Sequence, residues 1–440
     1  MTSAAIGAIG FAAMLALLVV RIPIGVSMAL VGMIGYAALT GGVAPLLNYL
    51  KHEMFFRFSS FDLSVIPLFV LMGQFAAQAG MSQALFRAAN AFLGHFRGGI
   101  AMGAIGACAG FGAIAGSSLA TAATMGQVAL PELRRYNYSG ALATGTVAAG
   151  GTLGILIPPS IPLIIYAVLV EGSIAQLFQA AFIPGILATL GYIAAIVVVV
   201  RFNPAAGPAG RRASGAERLA ALADIWPVLV VFLVVMGGIY GGYFTPNEGA
   251  SIGAVGTFLI AVTRGRMRLP GFVAALVATG MTTALIFLIL FGAGVFNAFL
   301  GFSQLPMHSA QAIQESRLSP MALLLMLVVV YVLLGMVMDS LSMILLTVPI
   351  FWPIISGLDF GMPVDDLRIW FGVITLVVVE VGLITPPVGL NVFIIHSMAK
   401  DVPMIETFKG VVPFLVSDGL RVGLIILAPI LTLWLPHLMR

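Results

Sequence analysis

The chain is a succession of apolar runs with few charges, each about as long as a bilayer is thick, and this constrains its fold more than any motif. A helix needs roughly 20 apolar residues to cross the hydrocarbon core. Such runs lie at 4–20, 23–42, 64–81, 98–115, 140–170, 175–200, 225–243, 248–263, 270–302, 320–338, 368–398 and 410–435. A soluble domain carries about 25% charged residues; here 8% are charged and 61% hydrophobic. With 20 Lys+Arg and 16 Asp+Glu in 440 residues, a soluble surface cannot be coated. The same content excludes disorder, and the single Cys108 excludes a disulfide scaffold. A net charge of +4 spread thinly along the chain argues against nucleic-acid binding. The expected class is an all-α polytopic membrane protein whose environment is the lipid bilayer.

No basic residue precedes the first run and Arg21 follows it, the reverse of a cleavable signal. We therefore expect a retained span with its N-terminus outside. Residues 44–58, where Lys51, His52, Glu53 and Arg57 mix with Met and Phe, read as an interfacial amphipathic helix. The stretches 117–131 and 340–355 are too short to cross alone, and 270–302 is too long for one crossing and short for two, so it reads as a tilted or broken arm. The longest polar stretch, 201–224, carries Arg201, Arg211, Arg212 and Arg218 and reads as a cytoplasmic linker.

The two sides of that linker repeat each other. Gly154 and the pair Pro158-Pro159 are matched by Gly382 and Pro386-Pro387. Ser117 lies 14 residues before Pro131, as Asp339 lies 14 before Pro353. Pro184 follows Pro158 by 26 residues and Pro413 follows Pro386 by 27. The expected organisation is N-terminal spans over 1–63, a first repeat over 64–200, linker and connecting spans over 201–281, and a second repeat over 282–440. Arg134 and Arg135 follow the first short stretch, whereas Asp359, Asp365, Asp366 and Arg368 follow the second. Positive loops face the cytoplasm, so the repeats are expected to be inverted. Inverted repeats with interrupted helices mark secondary transporters.

A proline pair in mid-membrane removes two N–H donors and frees carbonyls on the preceding turn. Such a break survives only where it lines a cavity or binds something. Gly150, Gly151, Thr152 and Gly154 let the first break unwind further. Freed carbonyls suit a hard cation such as Na⁺, and the half-helix after the break points a positive end at a substrate carboxylate. The short stretches read as re-entrant hairpins with small hydroxyl residues at their mouths: Ser117, Ser118 and Thr121 in the first, Asp339, Ser340 and Ser342 in the second. Gly and Ser also serve close packing, which is how Gly106–Gly110 and Gly112–Gly116 read. Asp339, at the end of one apolar run, and Glu380, within another, are acids at membrane depth. Asp339 reads as a site residue, while Glu380 fits either a site or a structural hydrogen bond. Glu248, in the sequence Thr245-Pro246-Asn247-Glu248, reads as a helix cap.

Enzymatic readings fail on chemistry. No lysine follows a glycine, which excludes a Walker A loop. His52-Glu53 lacks the second His of a zincin. Gly249-Ala250-Ser251-Ile252-Gly253 has the spacing of a nucleophile elbow but lies in an apolar helix. The five His are scattered, and no organic cofactor is expected.

The segments 116–126, 150–160, 245–250 and 382–393 together resemble the large membrane subunit of the tripartite ATP-independent periplasmic (TRAP) transporters, in order and over essentially the whole chain. The resemblance implies an elevator-type ion-transporter fold in a bacterial inner membrane. It also implies Na⁺-driven uptake of organic acids such as C4-dicarboxylates or sugar acids, a separate four-helix small membrane subunit, and a periplasmic substrate-binding protein. It places one Na⁺ at Ser117 and Ser118 with Gly151, Thr152 and Gly154, and a second at Asp339 and Ser340 with Gly382 and Thr385. Substrate would lie between them, near Ser160, Asn391 and Thr121. The alternative is a single-component sodium/organic-anion symporter of the wider group, which transports without partners.

Overall fold

The computed structural model describes residues 2–20, 22–308, 311 and 318–439. Arg21, the basic residue of the N-terminal argument, lies outside them, as do the side chains of Glu53 and Arg57. The described regular structure is helical. It begins with α1 (Ser3–Val19), α2 (Ile24–Thr40), α3 (Val43–Phe58) and α4 (Val65–Gln78). Then come α5 (Met81–Leu93), α6 (Gly99–Ala115), α7 (Ser118–Arg135), α8 (Gly140–Leu156), α9 (Ile161–Leu169) and α10 (Ile174–Phe202). After the linker follow α11 (Gly215–Tyr240), α12 (Pro246–Thr263), α13 (Leu269–Ser303), α14 (Pro320–Gly335), α15 (Ser340–Ser356), α16 (Val364–Gly382), α17 (Leu390–Met398), α18 (Met404–Leu427) and α19 (Ile430–Leu438).

Among the described residues, five helices are long and apolar enough to cross a membrane, six if α8 and α9 count as one broken span bent by 42°. The other apolar runs fold into shorter helices. A 17-residue helix such as α6 or α15 rises only about 26 Å, less than the ~30 Å core. Runs 98–115 and 320–338 form α6 and α14. Each is the first arm of a hairpin: α6 turns at Gly116 into α7, and α14 turns near Asp339 into α15. Gly116 makes its turn at φ +62°, a left-handed conformation in which a Cβ is strained. Run 270–302 is one continuous 35-residue helix. Its Gly292 does not break it; a Cβ there would lie 2.2 Å from the Gly25 carbonyl, so the glycine lets α2 and α13 pack closely. The linker is shorter than expected, because Ser214 and Glu217 form a capping box that starts α11. Thr245 and Glu248 form the corresponding box on α12.

The order hairpin, broken pair, long helix occurs twice: α6–α7, α8–α9, α10, then α14–α15, α16–α17, α18. The two copies run oppositely. At one end of the molecule, Arg134 pairs with Asp401, a Cβ on Gly140 would meet Val402 at 2.9 Å, and one on Gly410 would meet Ala141. So α8 starts where α17 ends. At the other end the Tyr166 hydroxyl donates to the Arg368 carbonyl at 2.8 Å, so α9 ends where α16 starts. This antiparallel placement of the two broken pairs is the inverted repeat. Arg134–Arg135 and Asp365–Arg368 therefore sit at opposite ends, as the loop charges predict. The linker lies at the Arg134 end: Gly98 N–H donates to the Gly207 carbonyl (2.8 Å) and Ser139 N–H to that of Ala206 (3.0 Å).

Candidate functional site

Both hairpin tips reach the middle of the molecule, and each is bonded to the break of its own repeat. At the first tip, Ile161 N–H donates to the Gly116 carbonyl at 3.4 Å. At the second, Gly389 N–H donates to the Met336 carbonyl at 3.3 Å. Both proline pairs are joined by a cis peptide bond. Three half-helices begin in this layer under side-chain caps. Ser117 accepts from Ala120 N–H (3.4 Å), Ser160 from Leu163 N–H (3.4 Å), and Asp339 from Leu341 and Ser342 N–H (3.1 and 3.2 Å). Ser342 also donates its hydroxyl to Asp339. Helix N-termini carry partial positive charge and collect anions; here three of them begin close together.

The tips share one cavity of about 140 Å³, lined by Ser117 and Ser118 on one side and Asp339 and Ser340 on the other. Ile155, Ile161 and Pro162 of the first break close it, with Gln74 of α4 and Thr282 of α13. The sequence pairs each hairpin with its own break, and the structure does so too. It also brings the two tips into a common space, which spacing alone does not disclose. Gln74 and Thr282 carry no motif and were legible only as polar breaks in apolar runs.

Gly154 is what brings the first hairpin close. A Cβ there would lie 2.3 Å from Thr121 Oγ1 and 2.6 Å from the Ser117 carbonyl oxygen. The Thr121 hydroxyl is fully buried and has no hydrogen-bond partner. The bare glycine thus brings a carbonyl and an orphaned hydroxyl against α8, but the expected unwinding over 150–154 is not seen: α8 stays helical to Leu156, and the Ser117 carbonyl also accepts from Thr121 N–H at 3.0 Å. Gly151 faces the same hairpin, its Cβ direction meeting Ala122. Thr152 does not: its hydroxyl donates to the Ala149 carbonyl (2.7 Å) and lies 3.2 Å from the Tyr192 hydroxyl, on the opposite face of α8.

In the second repeat Gly382 packs on Gly335, where a Cβ would lie 2.5 Å from the facing Cα. Thr385 donates to the Val381 carbonyl at 2.6 Å. Ser160 and Asn391 are both fully buried, but neither lines the shared cavity. Asn391 donates its amide to the Ala148 carbonyl at 3.3 Å, tying the second break to α8, and its Oδ1 is unpartnered.

Glu380 is not isolated. Arg421 donates to it at 3.2 Å and to Asp418 at 2.8 Å, with all three side chains buried. Asp418 and Arg421 were overlooked in the apolar run 410–435, although an acid and a base three residues apart inside a span are a readable signal.

With this geometry in hand, comparison with known proteins is informative. The family described as "Tripartite ATP-independent periplasmic transporter, DctM component" matches residues 11–431. The C4-dicarboxylate TRAP transporter large permease protein DctM of Pseudomonas aeruginosa is 36% identical over 386 residues, covering 88% of each chain. The sialic acid TRAP transporter large permease protein SiaM of Vibrio cholerae is 31% identical over 427 residues, covering 96% of this chain and 97% of its own. Among solved structures, the YdaH transporter of Alcanivorax borkumensis superposes with a TM-score of 0.66 over 92% of this chain and 97% of that one. At 15% identity, that likeness bears on the fold alone.

Proposed function

Since the chain belongs to the DctM family of tripartite ATP-independent periplasmic transporters as a large permease subunit, we propose that it moves organic acids inward across a bacterial inner membrane by coupling them to Na⁺. Its partners are a separate four-helix membrane subunit and a periplasmic substrate-binding protein. The relatives named for a C4-dicarboxylate and for sialic acid both handle carboxylates, which fits three half-helix N-termini in one layer. Na⁺ binds at Ser117, Ser118 and Gly154 beside the Thr121 hydroxyl, and a second ion at Asp339 and Ser340 near Gly382 and Thr385. Substrate enters between the tips and reaches Ser160 and Asn391.

The repeats divide into a unit that carries the site and a scaffold. Hairpins and broken pairs are fastened at glycines, Gly112 to Gly154 and Gly335 to Gly382, while α2 and α13 pack on each other through Gly25, Gly32 and Gly292. Elevator motion of the first unit against the second delivers the site to alternate sides.

The carrying observation is the orphaned Thr121 hydroxyl facing the Ser117 carbonyl across a glycine, beside a cavity that both hairpin tips line. The test is uptake by vesicles holding this chain with its small subunit, supplied with loaded binding protein. Replacing Na⁺ by choline at fixed pH and membrane potential is expected to abolish uptake. Uptake that persists without sodium overturns the coupling.

A further inference from the structure

A buried charged cluster lies against the two broken helices. Glu380 of α16, Asp418 and Arg421 of α18, and Tyr192 of α10 are each at most 5% exposed. Arg421 Nη2 donates to Asp418 Oδ1 (2.8 Å) and Glu380 Oε2 (3.2 Å). The Tyr192 hydroxyl donates to Asp418 Oδ2 at 2.9 Å and lies 3.2 Å from Thr152 Oγ1. The guanidinium also sits over the Tyr192 ring, 5.9 Å from its centroid. The contacts therefore link α8, α10, α18 and α16, with Thr152 also reaching Glu380 itself, and join the two broken pairs across the repeat boundary.

Where it attaches matters. On α8 it holds Thr152, while Gly151 and Gly154, one and two residues away, turn toward the first hairpin. On α16 it holds Glu380, while Gly382, two residues on, turns toward Gly335 of the second hairpin arm. Each broken helix is thus gripped from behind at the very turn whose front receives a hairpin. Burying two carboxylates and a guanidinium is costly, and a network of this kind is better explained by the geometry it fixes than by added stability.

We infer that Arg421 and Tyr192 are positioning residues that couple the two cation sites. Ordering one break by an ion fixes the register of Thr152, and the cluster passes that constraint to Glu380 and the other break. Occupancy of either site then raises affinity at the other, as linkage requires. The inference rests on the sodium reading above.

The test uses the purified complex of this chain with its small subunit. Its thermal unfolding midpoint is titrated with NaCl against choline chloride at constant ionic strength, and a Hill coefficient is fitted. The wild type is expected to give a coefficient above 1. Tyr192→Phe deletes one hydroxyl and preserves the ring. It is expected to raise the half-saturating Na⁺ by at least about fivefold and to bring the coefficient to about 1. Thr152→Val removes the contact to Tyr192 and the one to Glu380, so it is expected to lose cooperativity at least as fully and the double variant to match it. A residue that only stabilises the fold would lower the midpoint and leave the curve's shape intact. A folded Tyr192→Phe variant with wild-type affinity and coefficient overturns the inference. A wild-type complex with no sodium response overturns the coupling reading beneath it, so the two failures are told apart. Arg421→Lys, if it folds, is expected to lose cooperativity as Tyr192→Phe does, because one ammonium cannot hold both carboxylates in the guanidinium's geometry.

Discussion

One carboxylate at the second hairpin tip has two separable roles. Asp339 caps α15 by accepting from Leu341 and Ser342 N–H, and it also lines the shared cavity. Asn retains the cap but not the charge; Ala retains neither. Asp339→Asn is expected to leave the unfolding midpoint near the wild-type value and to raise the half-activating Na⁺ about tenfold, equivalent to about 1.4 kcal/mol of lost attraction. Asp339→Ala is expected to show the same sodium shift and lose about 1 kcal/mol of stability as well. Uptake and unfolding measured on both variants separate the roles, and an unchanged sodium curve in both removes Asp339 from the cation site. At this scale the sequence singles out residues but not the directions in which they face. Ser117, Gly154 and Asp339 face the tips as their motifs imply. Thr152 stands among them in sequence and faces away, because on a helix two residues apart lie on different sides. The Asp418–Arg421 pair is legible in the sequence, but its link to Glu380, 41 positions from Arg421, is a separation that no local pattern reveals.

The hairpins approach the broken helices only because glycines leave room, so the elements themselves are testable. In Gly154→Ala the new methyl would meet Thr121 and the Ser117 carbonyl at 2.3 and 2.6 Å. Backbone cannot yield as a flexible side chain can, and overpacking of this kind typically costs 1–3 kcal/mol. The expected result is a lower unfolding midpoint together with weakened sodium activation. Gly280→Ala, on α13 with nothing within 4 Å of its Cβ position, is the control and is expected to be neutral or stabilising by up to about 1 kcal/mol. If Gly154→Ala behaves like the control, the first hairpin does not rest on that glycine. Element types were largely legible, since apolar runs in lipid must be helices. Pairings were less so. The arms α6 and α14 read as independent spans because hydropathy does not report that a helix folds back as one arm of a hairpin. The helix α5 was passed over because Arg87 and Asn90 interrupt its apolar face, and its contact with α11, sealed by the Arg87–Asp224 pair at 2.7 Å, is not a local property.

For the whole molecule the question is whether the proposed ions supply enough energy. Each Na⁺ moving inward gains about 2.3 kcal/mol per 100 mV, and a tenfold concentration gradient adds about 1.4 kcal/mol per ion. A substrate dianion moving inward with two Na⁺ transfers no net charge, so the electrical terms cancel and only the chemical gradient remains. Two ions at a tenfold gradient then support about hundredfold accumulation. The fold is compatible with that count, since each repeat contributes a hairpin tip to the shared cavity and bonds that tip to its own break. The expected outcome in vesicles is specific: for a dianionic substrate, collapsing the membrane potential while holding the Na⁺ gradient should leave steady-state accumulation unchanged. Collapsing the Na⁺ gradient at fixed potential should abolish it. A monoanion carried with the same two ions should instead respond to both, gaining about fiftyfold accumulation per 100 mV, the exponential equivalent of the charge term. Dianion accumulation that rises with potential would mean more than two ions per cycle, and the one-ion-per-repeat assignment would have to give way to a further site.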